Sequence, residues 1–263
     1  MSVDTYVERA RTRVRTEREA LDAKRTAFER FDRRVRSISA DPTPVASTGA
    51  AVTGTEQRVK PAGDARCRDV RRAFEETVRP HSLDDVEGSG DESLLETVRS
   101  ELTESIALAL SPATDASFSP QLKRTIVAET AARRNEVKAL EGALAREAAH
   151  LSDAADAVDA VVERLAALDE TPLTALGFGA LETRHETLDE LRSRCADLAR
   201  RRQEFLNGTT SNGAEAAVAH RRLPPYLYRD FPVDHPVLST VATLDATCDD
   251  CQRAVRRHLV RRV

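Results

Sequence analysis

The spacing in this chain with the clearest chemical potential is Cys248-Asp-Asp-Cys251. A redox C-x-x-C normally opens a helix, where the N-terminal dipole lowers the first thiol's pKa. Here the pair falls about three turns inside an amphipathic pattern, on its apolar stripe. Two acids between the thiols further oppose thiolate formation. Zinc needs four ligands, and His258 lies two turns beyond Cys251, about 10 Å along the axis. Cys67 and Cys195 complete a site only if their helices converge there. All four cysteines sit at apolar stripe positions, where Cys packs as a small hydrophobe. That reading is preferred to metal or redox chemistry, and no cofactor is expected.

Other chemistry is weakly signalled. Nucleophile constellations, glycine-rich phosphate loops and H-E-x-x-H are absent from the sequence. Asp84, Asp85, Glu87, Asp91 and Glu92, with Gly88 and Gly90, lack the ligand spacing of a calcium loop and read as a solvated loop. Asn207-Gly-Thr209 matches a glycosylation acceptor only formally. The chain is expected not to be an enzyme, with no catalytic residue assigned.

Two segments carry interaction chemistry instead. Tyr226, Tyr228, Arg229, Asp230 and Phe231 lie in an aromatic and proline-rich stretch. It reads either as a plug over the end of a bundle or as a docking surface of rigid aromatics. Arg253, Arg256, Arg257, Arg261 and Arg262 concentrate positive charge at the C-terminus. They complement a helix C-terminus, or else meet phosphate or an acidic partner.

The elements that must hold these segments are helical. From Val137 seam positions recur through Leu140, Leu144, Glu147, Leu151, Ala154, Val158, Val161, Leu165 and Leu168, all apolar but Glu147, in alternating steps of three and four. That is the heptad repeat that keeps one stripe against a partner helix. Ser119 as N-cap and Pro120 in the first turn start this helix, which runs to about Asp169. From Leu122 to Leu168 it would span about 70 Å. A turn containing Pro172 and a Gly177-Phe-Gly179 break precedes a return helix, roughly residues 180–206, with Leu181, Leu188, Leu191, Cys195, Leu198 and Phe205 on its seam.

A short connection between two heptad helices implies an antiparallel hairpin. Folding about the turn pairs Leu168 with Leu181, Val161 with Leu188, Val158 with Leu191 and Leu151 with Leu198. It also sets Glu147 opposite Arg202, which neither neighbouring heptad register does. The two are expected to form a seam ion pair that selects register more than it adds stability.

The remaining elements follow in order. Residues 1–38 form an N-terminal coiled-coil arm with a stripe of Val7, Ala10, Val14, Leu21, Phe28, Phe31 and Val35, interrupted by Glu17 and Lys24. Residues 39–63 read as a flexible linker. Residues 64–263 form a helical bundle. Within it a helix over about 64–78 carries Cys67, Val70, Phe74 and Val78. A capping box at Ser93 starts another helix, to about Leu110. The hairpin spans 119–206, and the last helix, 236–262, has the stripe Val237, Val241, Leu244, Cys248, Cys251, Val255 and His258.

Composition agrees with narrow helical seams. Aromatics are 4% and Trp is absent, while charged residues reach 32%. Only four of the 40 basic residues are Lys, and the Arg, Asp, Glu, Ala and Val content has a haloarchaeal look. No apolar run approaches the ~18 residues of a membrane span, and the charged N-terminus lacks a signal-peptide core; a cytoplasmic location is expected.

Several stretches resemble an uncharacterised haloarchaeal all-helical family, a domain of unknown function. They are Phe74-Glu-Glu-Thr-Val78 with Pro80-His81, Phe118-Ser-Pro-Gln-Leu-Lys-Arg124, Cys195 with Arg201-Arg-Gln203, and Tyr226-Leu-Tyr-Arg-Asp-Phe-Pro-Val-Asp-His-Pro-Val-Leu238. The resemblance covers most of the chain and implies a helical fold without implying an activity. The sequence thus points to an all-α, elongated bundle with a long antiparallel coiled-coil hairpin. A non-enzymatic interaction or scaffolding role follows, through self-association or a helical protein partner. The alternative is a nucleic-acid-associated regulator using Arg-rich helix ends.

Overall fold

A computed structural model of the chain describes residues 5–41, 62–82, 91–114, 116–208 and 223–261. The fold is all-α. Its helices are α1 (Tyr6–Ser37), α2 (Ala62–Thr77), α3 (Asp91–Glu101), α4 (Glu104–Ala109), α5 (Pro120–Asp169), α6 (Phe178–Gly208), α7 (residues 223–227) and α8 (Pro236–Val260). They gather into two compact units, a middle unit of Glu19–Lys138 and a terminal unit of Met1–Arg18 with Ala139–Val263. The linker expected over 39–63 lies largely outside the described residues, as do the acidic loop residues Asp84, Asp85 and Glu87, the loop beyond Gly208, and Arg262. The stripe expected to make α1 a separate arm is buried along its described length. Val7, Ala10 and Val14 pack in the terminal unit, and Leu21, Phe28, Phe31 and Val35 in the middle one.

The middle unit is built on Phe28, Phe31 and Val35 of α1, Val70 and Phe74 of α2, Val98 of α3, Ile106 of α4, Phe118 and Ile126. Phe31 and Phe74 meet edge to face, 5.4 Å between centroids, the geometry the ring quadrupoles favour. Two helix ends in this unit are closed by side chains. Ser119 Oγ accepts the Leu122 amide at 3.1 Å at the start of α5, as its N-cap position requires. Lys123 Nζ donates to the carbonyls of Arg36 and Ile38, both at 2.7 Å. That places a cation on the unpaired carbonyls ending α1.

One expected helix is two. The run over 93–110 breaks at Leu102 and Thr103, because Thr103 adopts an extended backbone and its hydroxyl accepts the Ile106 amide at 3.3 Å. Ser93 is not a cap. α3 begins at Asp91, and Ser93 is a buried residue inside it whose hydroxyl accepts from Arg79 at 2.9 Å.

The terminal unit packs α5, α6, α8 and the start of α1. Its core includes Leu144, Leu151, Val158 and Val161 of α5, Leu181, Leu188, Leu191 and Leu198 of α6, and Val237, Val241 and Val255 of α8. α5 and α6 run antiparallel about a turn whose centre is a short 3-10 segment, Leu173–Ala175. The expected Gly177-Phe-Gly179 break is shorter than the motif: Gly177 stays in the turn, but α6 starts at Phe178, so Gly179 is helical, and a Cβ there would meet nothing within 4 Å. α8 lies antiparallel to α6, since Arg192 reaches Asp245 and Asp249 at 3.0 and 3.1 Å while Gln252 reaches back to the His185 carbonyl.

The stripe of α8 also needs correcting. Cys251 is exposed, and Gln252, 2% exposed, continues the buried line from Cys248 to Val255. A step of four followed by three tracks the α6 contact, and the Gln252 amide spans the Arg192 guanidinium and the His185 carbonyl, which an apolar residue could not satisfy.

Two substitutions check this description by urea denaturation. Phe74→Ala is expected to lower stability by about 3–5 kcal/mol. Gly179→Ala, adding a methyl in open helical space, is expected to raise it by roughly 0.4–1 kcal/mol.

Candidate functional site

Glu147 of α5 and Arg202 of α6 face each other across the hairpin, with side chains 0% and 1% exposed. The guanidinium fork meets the carboxylate with both ends, Nη2 to Oε1 at 2.8 Å and Nη1 to Oε2 at 3.1 Å, the strongest form of such a pair. The Tyr228 hydroxyl donates to the same Oε1. Burial, with the adjacent Glu147 charge, pushes the Tyr228 phenol well above its ordinary range, so it stays a donor. Arg202 also lies over the Phe205 ring at 5.3 Å, and the His150 ring sits 4.3 Å from that of Phe205. Burial and the Arg202 charge hold the His150 pKa below its usual value. The arrangement is a closed, charge-neutral pair: it can orient helices, and it offers no exposed group for reaction.

The aromatic segment divides by side chain. Tyr228 is buried in that network, so it is no docking residue. Tyr226 is half-buried, with its hydroxyl donating to Glu17 at 3.3 Å, and Glu17 in turn pairs with Arg13 at 2.9 Å. Phe231 packs edge to face on Tyr228 at 5.4 Å and carries the Arg9 guanidinium over it at 5.2 Å. Arg229 and Asp230 are exposed, 3.4 Å from one another. The segment therefore fastens the start of α1 to the hairpin. Its free surface is a shallow cleft lined by Arg9, Thr12, Thr16, Asp230 and Phe231.

The cysteines are all free thiols. Cys67 packs in the middle unit, where its thiol points to the Ala116 carbonyl at 3.6 Å. Cys195 and Cys248 are buried in the terminal unit, and burial, with the neighbouring thiols next, pushes Cys248 up to about 11. Cys251 is likewise raised, by burial and then by Asp169 and Asp250. Among the described residues no three His, Cys, Asp or Glu side chains are placed to hold a metal ion.

A feature the sequence reading missed lies at the turn end of the terminal unit. A groove of about 510 Å³ runs among α5, α6 and α8, lined by Val162, Leu165, Ala166, Leu168, Leu173, Leu188, Ala254 and Val255, with Asp169, Arg184, Thr247 and Cys251. Phe178, at the head of α6, is 49% exposed. The available signal was the widening of the stripe, where Val162 and Ala166 flank the seam residues Val161 and Leu165. Of the C-terminal arginines, Arg253 pairs with Asp249 and Asp250. Arg256, Arg257 and Arg261 are exposed.

The chain belongs to the family described as a domain of unknown function (DUF7260), whose profile matches residues 5–252. No curated protein and no solved structure matches it. No described helix is long and apolar enough to cross a membrane.

The buried pair generates two predictions. Arg202→Met alone leaves the Glu147 carboxylate uncompensated and is expected to cost about 3–5 kcal/mol in urea denaturation. The double change Glu147→Leu with Arg202→Met is expected to recover most of that loss. His150 binds its proton less tightly folded than its ordinary 6.5, so the unfolded chain takes up more protons as the pH falls. Its contribution is complete above about pH 6.5 and is lost as the pH falls through the folded-state value. Urea midpoints followed from about pH 8 to pH 5 should fall less steeply for His150→Gln than for the wild type.

Proposed function

We propose that this protein is a non-enzymatic helical interaction protein whose terminal unit receives a helix of a partner in the groove at the hairpin's turn end. The observation that carries this reading is the groove itself, apolar along its floor and bounded by three helices. A groove of that kind takes the apolar face of an amphipathic helix through anchors at i, i+3, i+4 and i+7. The coiled-coil description of the hairpin belongs to the same proposal, supported by the buried three-and-four seam. So does a cytoplasmic setting, supported by the free thiols, and a haloarchaeal source, supported by the preference for Arg over Lys.

The second reading, nucleic-acid association, is favoured by Arg256, Arg257 and Arg261 standing exposed at the end of α8. Its signature is oligonucleotide binding that weakens steeply with salt.

Selection of displayed helical peptides on the purified protein tests the main reading. Sequences with an apolar i, i+3, i+4, i+7 stripe are expected to enrich on the wild type and to disappear on Ala254→Glu, which sets a charge in the groove wall. Enrichment of no such stripe, or equal enrichment on both proteins, would overturn it. Light scattering over a concentration series identifies a second copy as occupant if a dimer forms and Ala254→Glu abolishes it.

A further inference from the structure

We infer that the helix received by this groove is acidic along one flank, an inference that rests on the docking role proposed above. The groove's charges are distributed unevenly. Arg184 lines the α6 wall, and its guanidinium donates to the Thr171 carbonyl at 3.0 Å, with no carboxylate within 4 Å among the described residues. On the α8 wall Cys251, Ala254 and Val255 line the groove. Helical spacing carries that wall onward through Arg257, His258 and Arg261. Arg257 and Arg261 are exposed, with no ion pair among the described residues. Asp250, on the same helix, is already taken by Arg253 at 3.3 Å. Of the carboxylates, Asp169 of the lining ends α5 and acts on the Cys251 thiol, as Asp250 does from within α8.

The charged groups of the lining itself are Arg184 on the α6 side and Asp169 where α5 ends; further along α8 stand the exposed Arg257 and Arg261, while Asp250 is paired with Arg253. A helix lying in the groove with glutamates on the flank facing α6 and α8 meets complementary charge there. One with lysines on that flank meets repulsion from three arginines. Rim charges of this kind choose among partners more than they add affinity, while the stripe supplies the burial.

Three synthetic helices, read by fluorescence anisotropy against the full chain, test the inference. The first carries a leucine stripe with glutamates on one flank, the second the same stripe with lysines, and the third the glutamates with serines replacing the stripe. The glutamate-flanked helix is expected to bind about tenfold or more tightly than the lysine-flanked one, summing several modest exposed pairs. That difference is expected to collapse at about 1 M salt, where the screening length falls to about 3 Å. The stripeless helix should not bind. Arg184→Glu combined with Arg257→Glu and Arg261→Glu should reverse the order of the first two. Cys251→Trp, which fills the groove without adding charge, should abolish both.

Equal binding of the two striped helices, both lost in Cys251→Trp, would overturn the acidic flank and leave the docking role intact. Failure of both to bind, or binding of the stripeless helix as well as the striped one, would overturn the flank and the docking role together. A duplex oligonucleotide that displaces the acidic helix and depends on the same arginines would assign those charges to phosphate and overturn the inference.

Discussion

A carboxylate cannot remain ionised inside a helical bundle unless its charge is met at close range, and Glu147 is wholly buried. An uncompensated ion there costs several kcal/mol, comparable with deleting a whole buried leucine side chain. The protein answers with three donors from two places: both ends of the Arg202 fork and the Tyr228 hydroxyl. One point on α5 therefore fixes α6 and the segment leading into α8. Leucine, valine and alanine seams tolerate sliding by seven residues, because one apolar layer replaces another. A slide here would set Glu147 opposite Cys195 or Thr209, and Arg202 opposite Leu140 or Ala154, stranding both charges. Specificity of register comes from the penalty for error rather than from the strength of the correct pair.

The middle unit solves a comparable problem at Glu101. Its carboxylate, almost fully buried, accepts from Lys24 at 2.6 Å, Ser82 at 2.7 Å and Arg133 at 3.3 Å. Lys24 interrupts the α1 stripe, so that apparent flaw in an apolar pattern is one half of a buried contact. Glu101 also ends α3, where the helix dipole disfavours negative charge, which makes the two cations there all the more necessary. The break before Thr103 turns the chain immediately after this carboxylate has been secured.

Much of this organisation was legible in the amino acids. Ser119-Pro120 announces the start of α5 because only a few residue types cap a helix and only the first turn accommodates proline. The hairpin pairing could be read because Glu147 and Arg202 are the polar exceptions at matching depth from the turn. Tyr228 could not be assigned to them, since nothing local in its proline-rich segment says which way its hydroxyl points. Glu101 was hidden for a different reason: a glutamate near a helix end is ordinary, and only tertiary packing from Lys24 makes it central. Cys251 and Gln252 show the limit of periodicity itself. The stripe of α8 steps by three or by four, and a buried amide with partners in Arg192, His185 and Asp189 took the place of the thiol. The groove is formed jointly by three helices, a property of packing that no single stripe records.

The placement of Tyr228 has an optical consequence. The chain has no Trp and three Tyr, and all three, Tyr6, Tyr226 and Tyr228, belong to the terminal unit. The middle unit holds phenylalanines at its core, Phe28, Phe31, Phe74 and Phe118. Tyrosine absorbance and tyrosine emission therefore report on the terminal unit alone. A carboxylate bonded to a phenol hydroxyl quenches its emission, so Tyr228 is expected to brighten as its contact with Glu147 opens. The protein carries a native light signal for its hairpin register, and a melting curve followed by tyrosine will trace a different event from one followed by helical circular dichroism whenever the two units part company in stability.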